Sequence, residues 1–185
     1  VGRRDGVRSV AADDLAGGRL AAEHLLRLGH SQVLHVTGEP HSQVMGDRAT
    51  GFLEAYARAG APRPQLCYCD DLSALGAYRA VARELRSGAG NRLPFAAVFA
   101  ATDEMANGVI ASITDAGYRV PADVSVVGFD DMPEIGQELT TIRQDIGAIA
   151  KTAVELLHEA LNGAPVRGVR VPVSLVVRGT TAERR

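Results

Sequence analysis

Apolar and polar positions follow two alternating rhythms along this chain. Short runs rich in Val and Leu recur as QVLHVT (32–37), QLCYC (65–69), FAAVFAAT (95–102) and VSVVGF (124–129), each centred about thirty residues after the last. Runs of that length and content read as strands. Between them apolar residues return at helical spacing: Ala21, His24, Leu25 and Leu28 fall at i, i+3, i+4 and i+7, and so do Ala106, Val109, Ile110 and Ile113. Gly29, Gly60, Gly88 and Gly117 follow the helical stretches, where left-handed C-caps sit, and Asp14, Asp47, Ser73 and Asp103 precede them as expected N-caps. Apolar strands alternating with helices are covered on both faces, so the pattern predicts an α/β fold with a doubly wound parallel sheet.

The rhythm changes in the last third. Ile146, Ile149, Ala150, Ala153, Leu157, Ala160 and Leu161 make an apolar stripe on one long helix that ends at Asn162 and Gly163. VRVPVSLVVRGTT (169–181) then reads as one further strand, with Pro172 marking an edge or a crossing point. The helix needs a sheet to cover its stripe, yet the preceding strands are already matched to their own helices.

Composition narrows the class. Apolar residues make up 46% and charged residues 23%, with a net charge of −2, the profile of a soluble globular protein. A charge so near zero leaves no electrostatic footprint for nucleic acid within this segment. No run approaches the roughly 20 apolar residues of a membrane helix, and VGRRDGVRSV at the start has no signal-peptide core. Cys67 and Cys69 lie two apart on a strand, on the same face, and are expected to be reduced structural thiols.

In an open α/β sheet ligands bind outside the carboxyl ends of the strands. Asp13 and Asp14, Arg48, Asp70 and Asp71, Thr102 and Asp103, and Asp130 and Asp131 all follow predicted strands. The common catalytic and phosphate-binding motifs are absent, and neither a histidine nor a third acid near Asp130 and Asp131 completes a metal set. Asp14 and Asp103 read as helix caps. Asp130 has no clear helix to cap, which leaves contact with a ligand open. Arg48 sits at the start of a helical pattern, where the dipole disfavours a cation. It is either a surface arginine or a planar fork reaching into the strand-end cleft to meet hydroxyls or a carboxylate. None of the five histidines is read as a ligand.

Five segments together resemble the effector-binding domain of the LacI/GalR family of bacterial transcription regulators: DDLAGGRLAAEHLLRLGH (13–30), VTGEPHSQVMGDRATGFLEAYARAG (36–60), FAAVFAATDEMANGVIASITDAGYRVPADVSVVGFDD (95–131), LTTIRQDIGAIAKTAVELL (139–157) and VPVSLVVRGTT (171–181). They span nearly the whole chain in the family's order. The resemblance implies a type I periplasmic-binding-protein-like fold: two Rossmann-like subdomains joined by three crossings, a small effector between them, and a helix-turn-helix headpiece in front. The effector-contacting arginine of the pattern R-x-x-G-F falls on Arg48, with Gly51 and Phe52. The contacting acid of G-F-D-D falls on Asp130, and the position before the Asp at the helix start falls on Thr102. Where relatives place an aromatic against the sugar this chain has Ala12, and Asp71 or Leu72. The implied ligand set is Arg48, Asp130, Thr102 and Asp71, with Asp131 serving the loop backbone.

The same resemblance divides the chain into 1–12, a crossing strand from the N-terminal subdomain; 13–140, the C-terminal effector-binding subdomain; 141–170, the remainder of the N-terminal subdomain; and 171–185, a returning strand and tail. The headpiece and the first half of the N-terminal subdomain are expected to be missing, which would account for the uncovered helix. It implies a cytoplasmic homodimer that senses a sugar or related metabolite and meets operator DNA only through the headpiece. No cofactor, metal, membrane or catalytic turnover is expected. The alternative is a periplasmic sugar-binding protein of an ABC transporter; the tail SLVVRGTT and the missing secretory features favour the regulator.

Overall fold

The computed structural model describes residues 9–39, 41–87, 93–133, 138–165 and 168–184. Strands and helices alternate through the first two thirds: β1 (Ser9–Ala12), α1 (Asp14–Arg27), β2 (Val33–Thr37), α2 (Gln43–Arg58), β3 (Gln65–Tyr68), α3 (Ala74–Ser87), β4 (Ala97–Ala100), α4 (Asp103–Asp115) and β5 (Ser125–Asp130). Then come β6 (Thr140–Gln144), α5 (Ile146–Leu161), β7 (Gly168–Val171) and β8 (Val173–Val176). The main sheet runs β3-β2-β4-β5-β6-β8. Its pairings are parallel except the last, where β8 runs antiparallel to β6.

Strand alternation assigns the helices to opposite faces. Leu34, Val36, Val98 and Val126 pack with α3 and α4 through Ala77, Val81, Met105 and Val109. Val33, Ala97, Phe99, Val127 and Phe129 pack with α1 and α2 through Ala21, Leu25, Phe52 and Tyr56. His35 belongs to the second face: it is fully buried, stacks on Phe99 with 4.6 Å between ring centres, and bonds the Phe99 carbonyl through Nδ1 at 3.0 Å. Burial pushes its pKa down to about 4, so it is a neutral core residue at ordinary pH. The expected doubly wound α/β fold is therefore the observed one. Gly29, Gly60 and Gly117 end α1, α2 and α4 with positive φ, while Gly88 lies outside the described residues. Cys67 and Cys69 are buried and unbridged, with thiols pushed up to about 11 and about 12 by burial.

The last third departs from its reading in two places. Thr140–Gln144, which sequence assigned to no strand, is paired along its length between β5 and β8. It therefore runs through the boundary drawn between residues 140 and 141. The stretch read as a single strand is two, because Pro172 separates β7 from β8. β7 pairs in parallel with β1 as a separate two-stranded sheet, whereas β8 joins the main one. Proline has no N–H for a ladder and suits a point where the chain changes sheets.

Helix α5 packs on β1 and β7. Leu156 is its buried side chain, while Ile146, Val154, Leu157 and Leu161 are exposed, Leu161 by 79%. An exposed apolar helix face of this kind favours association. Expressed as it stands, the 185-residue chain is expected to self-associate and to bind ANS; a monomer in sedimentation that leaves the dye dark would contradict this.

Candidate functional site

Two helices must nearly touch before the site can form. A Cβ on Gly18 of α1 would collide with the Arg48 carbonyl, and one on Gly51 of α2 with the Leu15 carbonyl. This approach sets Arg48 against Asp14. The Arg48 side chain is only 5% exposed. Its Nε donates to Asp14 Oδ1 at 2.9 Å, and one terminal nitrogen donates to the Ala101 carbonyl at the end of β4. The other lies 3.5 Å from Asp130 Oδ1. The guanidinium carbon stands 3.5 Å above the Phe129 ring, so the cation is held by two carboxylates, a carbonyl and an aromatic face. The helix begins earlier than its sequence suggested: Ser42, rather than Asp47, is the N-cap and accepts from Met45 N–H. Arg48 therefore lies in the second turn, where the end charge of the helix is weaker.

Asp130 and Asp131 have φ of 123° and 61°, conformations that side chains other than glycine seldom adopt. Strain of this kind costs of order 1–3 kcal/mol per residue and persists where surrounding contacts hold it. For Asp130 those contacts are Gln144 of β6, whose amide donates to Oδ1 at 2.6 Å, and Arg48. Burial pushes the Asp130 pKa up to about 6, although Arg48 and the Gln144 bond pull against it. For Asp131 the contacts are Arg143 at 2.5 Å and Arg178 at 2.6 Å. Burial pushes Asp131 up, but the two arginine bonds outweigh it and hold the carboxyl below its usual range. The expectation that Asp131 serves the loop backbone is thus corrected: its oxygens clamp β6 and the segment after β8.

The expected caps also move. Asp13, not Asp14, caps α1 by accepting from Ala16 N–H at 3.0 Å, which frees Asp14 for Arg48. Thr102, not Asp103, caps α4 by accepting from Met105 N–H at 3.1 Å. Asp103, buried beside Gly128, accepts from Thr141 Oγ1 at 2.5 Å and from Met132 N–H at 2.9 Å, so it fastens the loop after β5. Burial raises the carboxyl pKa of both Asp14 and Asp103 despite these partners.

Of the four residues expected to bind ligand, Arg48 and Asp130 meet directly. Thr102 lies beside them, next to the Ala101 carbonyl that Arg48 holds. Asp71 is exposed and bonds within its own turn, to Ser73 N–H at 2.9 Å and to the Ser73 hydroxyl. Gln144 and Asp14 are the site residues that sequence missed. Asp14 passed for a cap, and Gln144 gave no local signal beyond following the β-branched run Thr140–Thr141–Ile142. A groove of about 690 Å³ opens over Asp130, Met132, Arg143, Gln144, Asp145 and Ile146, a size suited to a small organic molecule. Asp145, one of its lining residues, also caps α5 by accepting from Ala148 N–H at 2.8 Å. Among the described residues no group of three or more His, Cys, Asp or Glu could hold a metal ion.

Residues 22–181 match the family described as periplasmic binding protein-like domain. The chain is 35% identical over 179 residues to the lactose operon repressor of Escherichia coli (strain K12), an alignment that covers 95% of this chain and 48% of the repressor. A solved dimeric Lac repressor with a C-terminal deletion superposes with a TM-score of 0.89 at 32% identity, covering 100% of this chain and 68% of that one. The chain belongs to the LacI/GalR family. A LacI family regulator from Enterococcus faecium with bound ribose superposes at 0.87 and 30% identity, covering 100% and 69%. This LacI-family segment spans about half the length of the curated relatives it matches.

Proposed function

We propose that the segment is the effector-sensing part of a DNA-binding transcription regulator. A sugar or related small metabolite sits over Asp130 and Arg48, between the body built on the six-stranded sheet and the one begun by β1, β7 and α5. Asp130 accepts hydrogen bonds from effector hydroxyls, Arg48 orients it and fixes one edge of the pocket, and Thr102 lines the same strand end. Asp71 joins the set if closure brings its loop inward. The carrying observation is the Asp130 carboxylate, on strained backbone at the end of β5 and 3.5 Å from the Arg48 guanidinium. Further support comes from similarity to the lactose operon repressor and to a ribose-bound LacI family structure.

By this reading the whole protein is a cytoplasmic homodimer without catalytic turnover. Its operator contacts lie in a helix-turn-helix headpiece outside these 185 residues, and effector closure shifts it between operator-binding and released forms. No helix among the described residues is long and apolar enough to cross a membrane.

A thermal-shift screen of the full-length protein against neutral monosaccharides, disaccharides and nucleosides tests the reading. A compound at a hundred times its Kd adds about 2.7 kcal/mol to the folded state, a shift of several degrees, and the same compound should change operator affinity. A hit that leaves operator affinity unchanged, or a cleavable signal peptide encoded upstream in place of a headpiece, would refute it.

A further inference from the structure

Helix α2 carries two adjacent charges with different partners. Arg48 holds Asp14 and Asp130, while Asp47 Oδ2 accepts from a terminal nitrogen of Arg170 at 3.1 Å. Arg170 lies on β7, in the two-stranded layer, two residues before Pro172. Its other terminal nitrogen donates at 3.1 Å to the carbonyl of Ala12, the last residue of β1, and stands 3.9 Å from Asp14 Oδ2. Asp14 thus has Arg48 on one oxygen and Arg170 near the other. A run of alternating charge, Asp47–Arg170–Asp14–Arg48–Asp130, connects the β1–β7 layer to the end of β5.

We propose that Arg170 is a positioning residue for the effector site, setting from the β1–β7 layer how Asp14 shares Arg48 with Asp130. The Arg170–Asp47 pair is partly exposed and by itself worth little. Asp14 is different, because at 3% exposure a cation beside it acts through a low dielectric. The charged groups facing Asp14 are Arg48 and Asp47 from α2 and Arg170 from β7. Those facing Asp130 are Arg48 from α2 and Asp103 from α4, with the Gln144 amide from β6.

Arg170 sits where the chain passes between layers, at the ends of β1 and β7. Any change in tilt of the β1–β7 layer therefore alters its distance from Asp14. As Arg170 withdraws, Asp14 draws more on Arg48, and Asp130 loses part of its cation. In the opposite sense, a ligand that draws Arg48 toward Asp130 leaves Asp14 to Arg170 and pulls the layer in. The two sites are then linked through one shared guanidinium, and the linkage is reciprocal. This regulatory consequence rests on the effector reading above; the charge coupling does not.

The test needs no effector. Melting temperatures of the full-length protein are measured at one concentration, at pH 5 and pH 8, for the parent, Arg170→Ala, Arg170→Lys, Asp130→Asn, Asp47→Asn and the Arg170→Ala/Asp130→Asn pair. Arg170→Ala should lose more at pH 8, where Asp130 is ionised and competes with Asp14 for Arg48, and the double variant should depart from additivity there by about 2 °C or more. Arg170→Lys, which keeps a cation, should lose little of this extra stability, and Asp47→Asn, which keeps Arg170 beside Asp14, should show no extra loss at pH 8. Additive losses, equal at both pH values, would reduce Arg170 to a packing role and overturn the proposal. So would an extra loss at pH 8 in Asp47→Asn as large as in Arg170→Ala, since Arg170 would then act through Asp47 rather than Asp14. A negative result leaves the effector reading of Asp130 standing, and failure to find an effector leaves the coupling standing.

Discussion

Arg48→Met destabilises the protein by about 3–5 kcal/mol, the cost of removing one partner from a buried ion pair. Methionine restores much of the length and volume over Phe129, so the loss is chiefly electrostatic. Asp14, 3% exposed, would be left with Arg170 at 3.9 Å, and Asp130 with the Gln144 amide. The Ala101 carbonyl would lose its donor as well. Burial already raises the carboxyl pKa of Asp14 and Asp130 while Arg48 is present, and without the cation both rise further. A carboxyl whose folded pKa exceeds its unfolded one contributes stability that is full at low pH and is lost as pH rises through the folded value. The deficit of Arg48→Met should therefore widen between pH 5 and pH 8. Denaturant unfolding of parent and variant across that range checks this; a deficit independent of pH would assign the loss to packing on Phe129.

Asp130→Asn in the full-length regulator should weaken the effector found by the screen by ten- to a hundredfold, or about 1.5–3 kcal/mol, because an ionised acceptor is replaced by a neutral amide that is half donor. Operator affinity without effector should barely change. The raised pKa adds a second signature. Hydroxyl donors favour the ionised carboxylate, so effector binding must displace the proton that Asp130 carries below about pH 6. Parent affinity should then fall as pH drops through about 6, approaching tenfold per pH unit, and the Asn variant should lack that dependence. For the ligand-free fold the sign is the reverse: Asp130's share of stability is full below its ordinary value of 3.8 and is lost as pH rises through about 6. Asp131→Asn should behave differently, lowering thermal stability through Arg143 and Arg178 while leaving effector affinity largely intact. Operator titrations of parent and both variants at pH 5.5 and 7.5 separate the cases. Equal effector affinity in Asp130→Asn and parent would remove Asp130 from the site.

Local periodicity by itself determined the α/β class, the alternation from β2 to β5, the extent of α5 and the glycine ends of α1, α2 and α4. Each follows from which side chains must be buried on a strand or helix and which backbone needs positive φ, conditions that neighbouring residues satisfy. The resembling motifs also singled out Arg48 and Asp130, which the fold brings together. What sequence could not settle was which of two adjacent acids does what. Asp13 and Asp14 differ by one position at a helix start, and only the approach of α2 through Gly18 and Gly51 makes the first a cap and the second an ion-pair partner. Asp103 looked like a cap because it precedes a helix, yet it is turned to the loop after β5 and to Thr141, a partner 38 residues away. β6 went unread because its identity as a strand comes from pairing between β5 and β8, and the split at Pro172 depends on the existence of two sheets. Tertiary structure decided these matters because each turns on a partner distant in sequence, and the free energy of a buried charge or a paired strand depends on what stands opposite it.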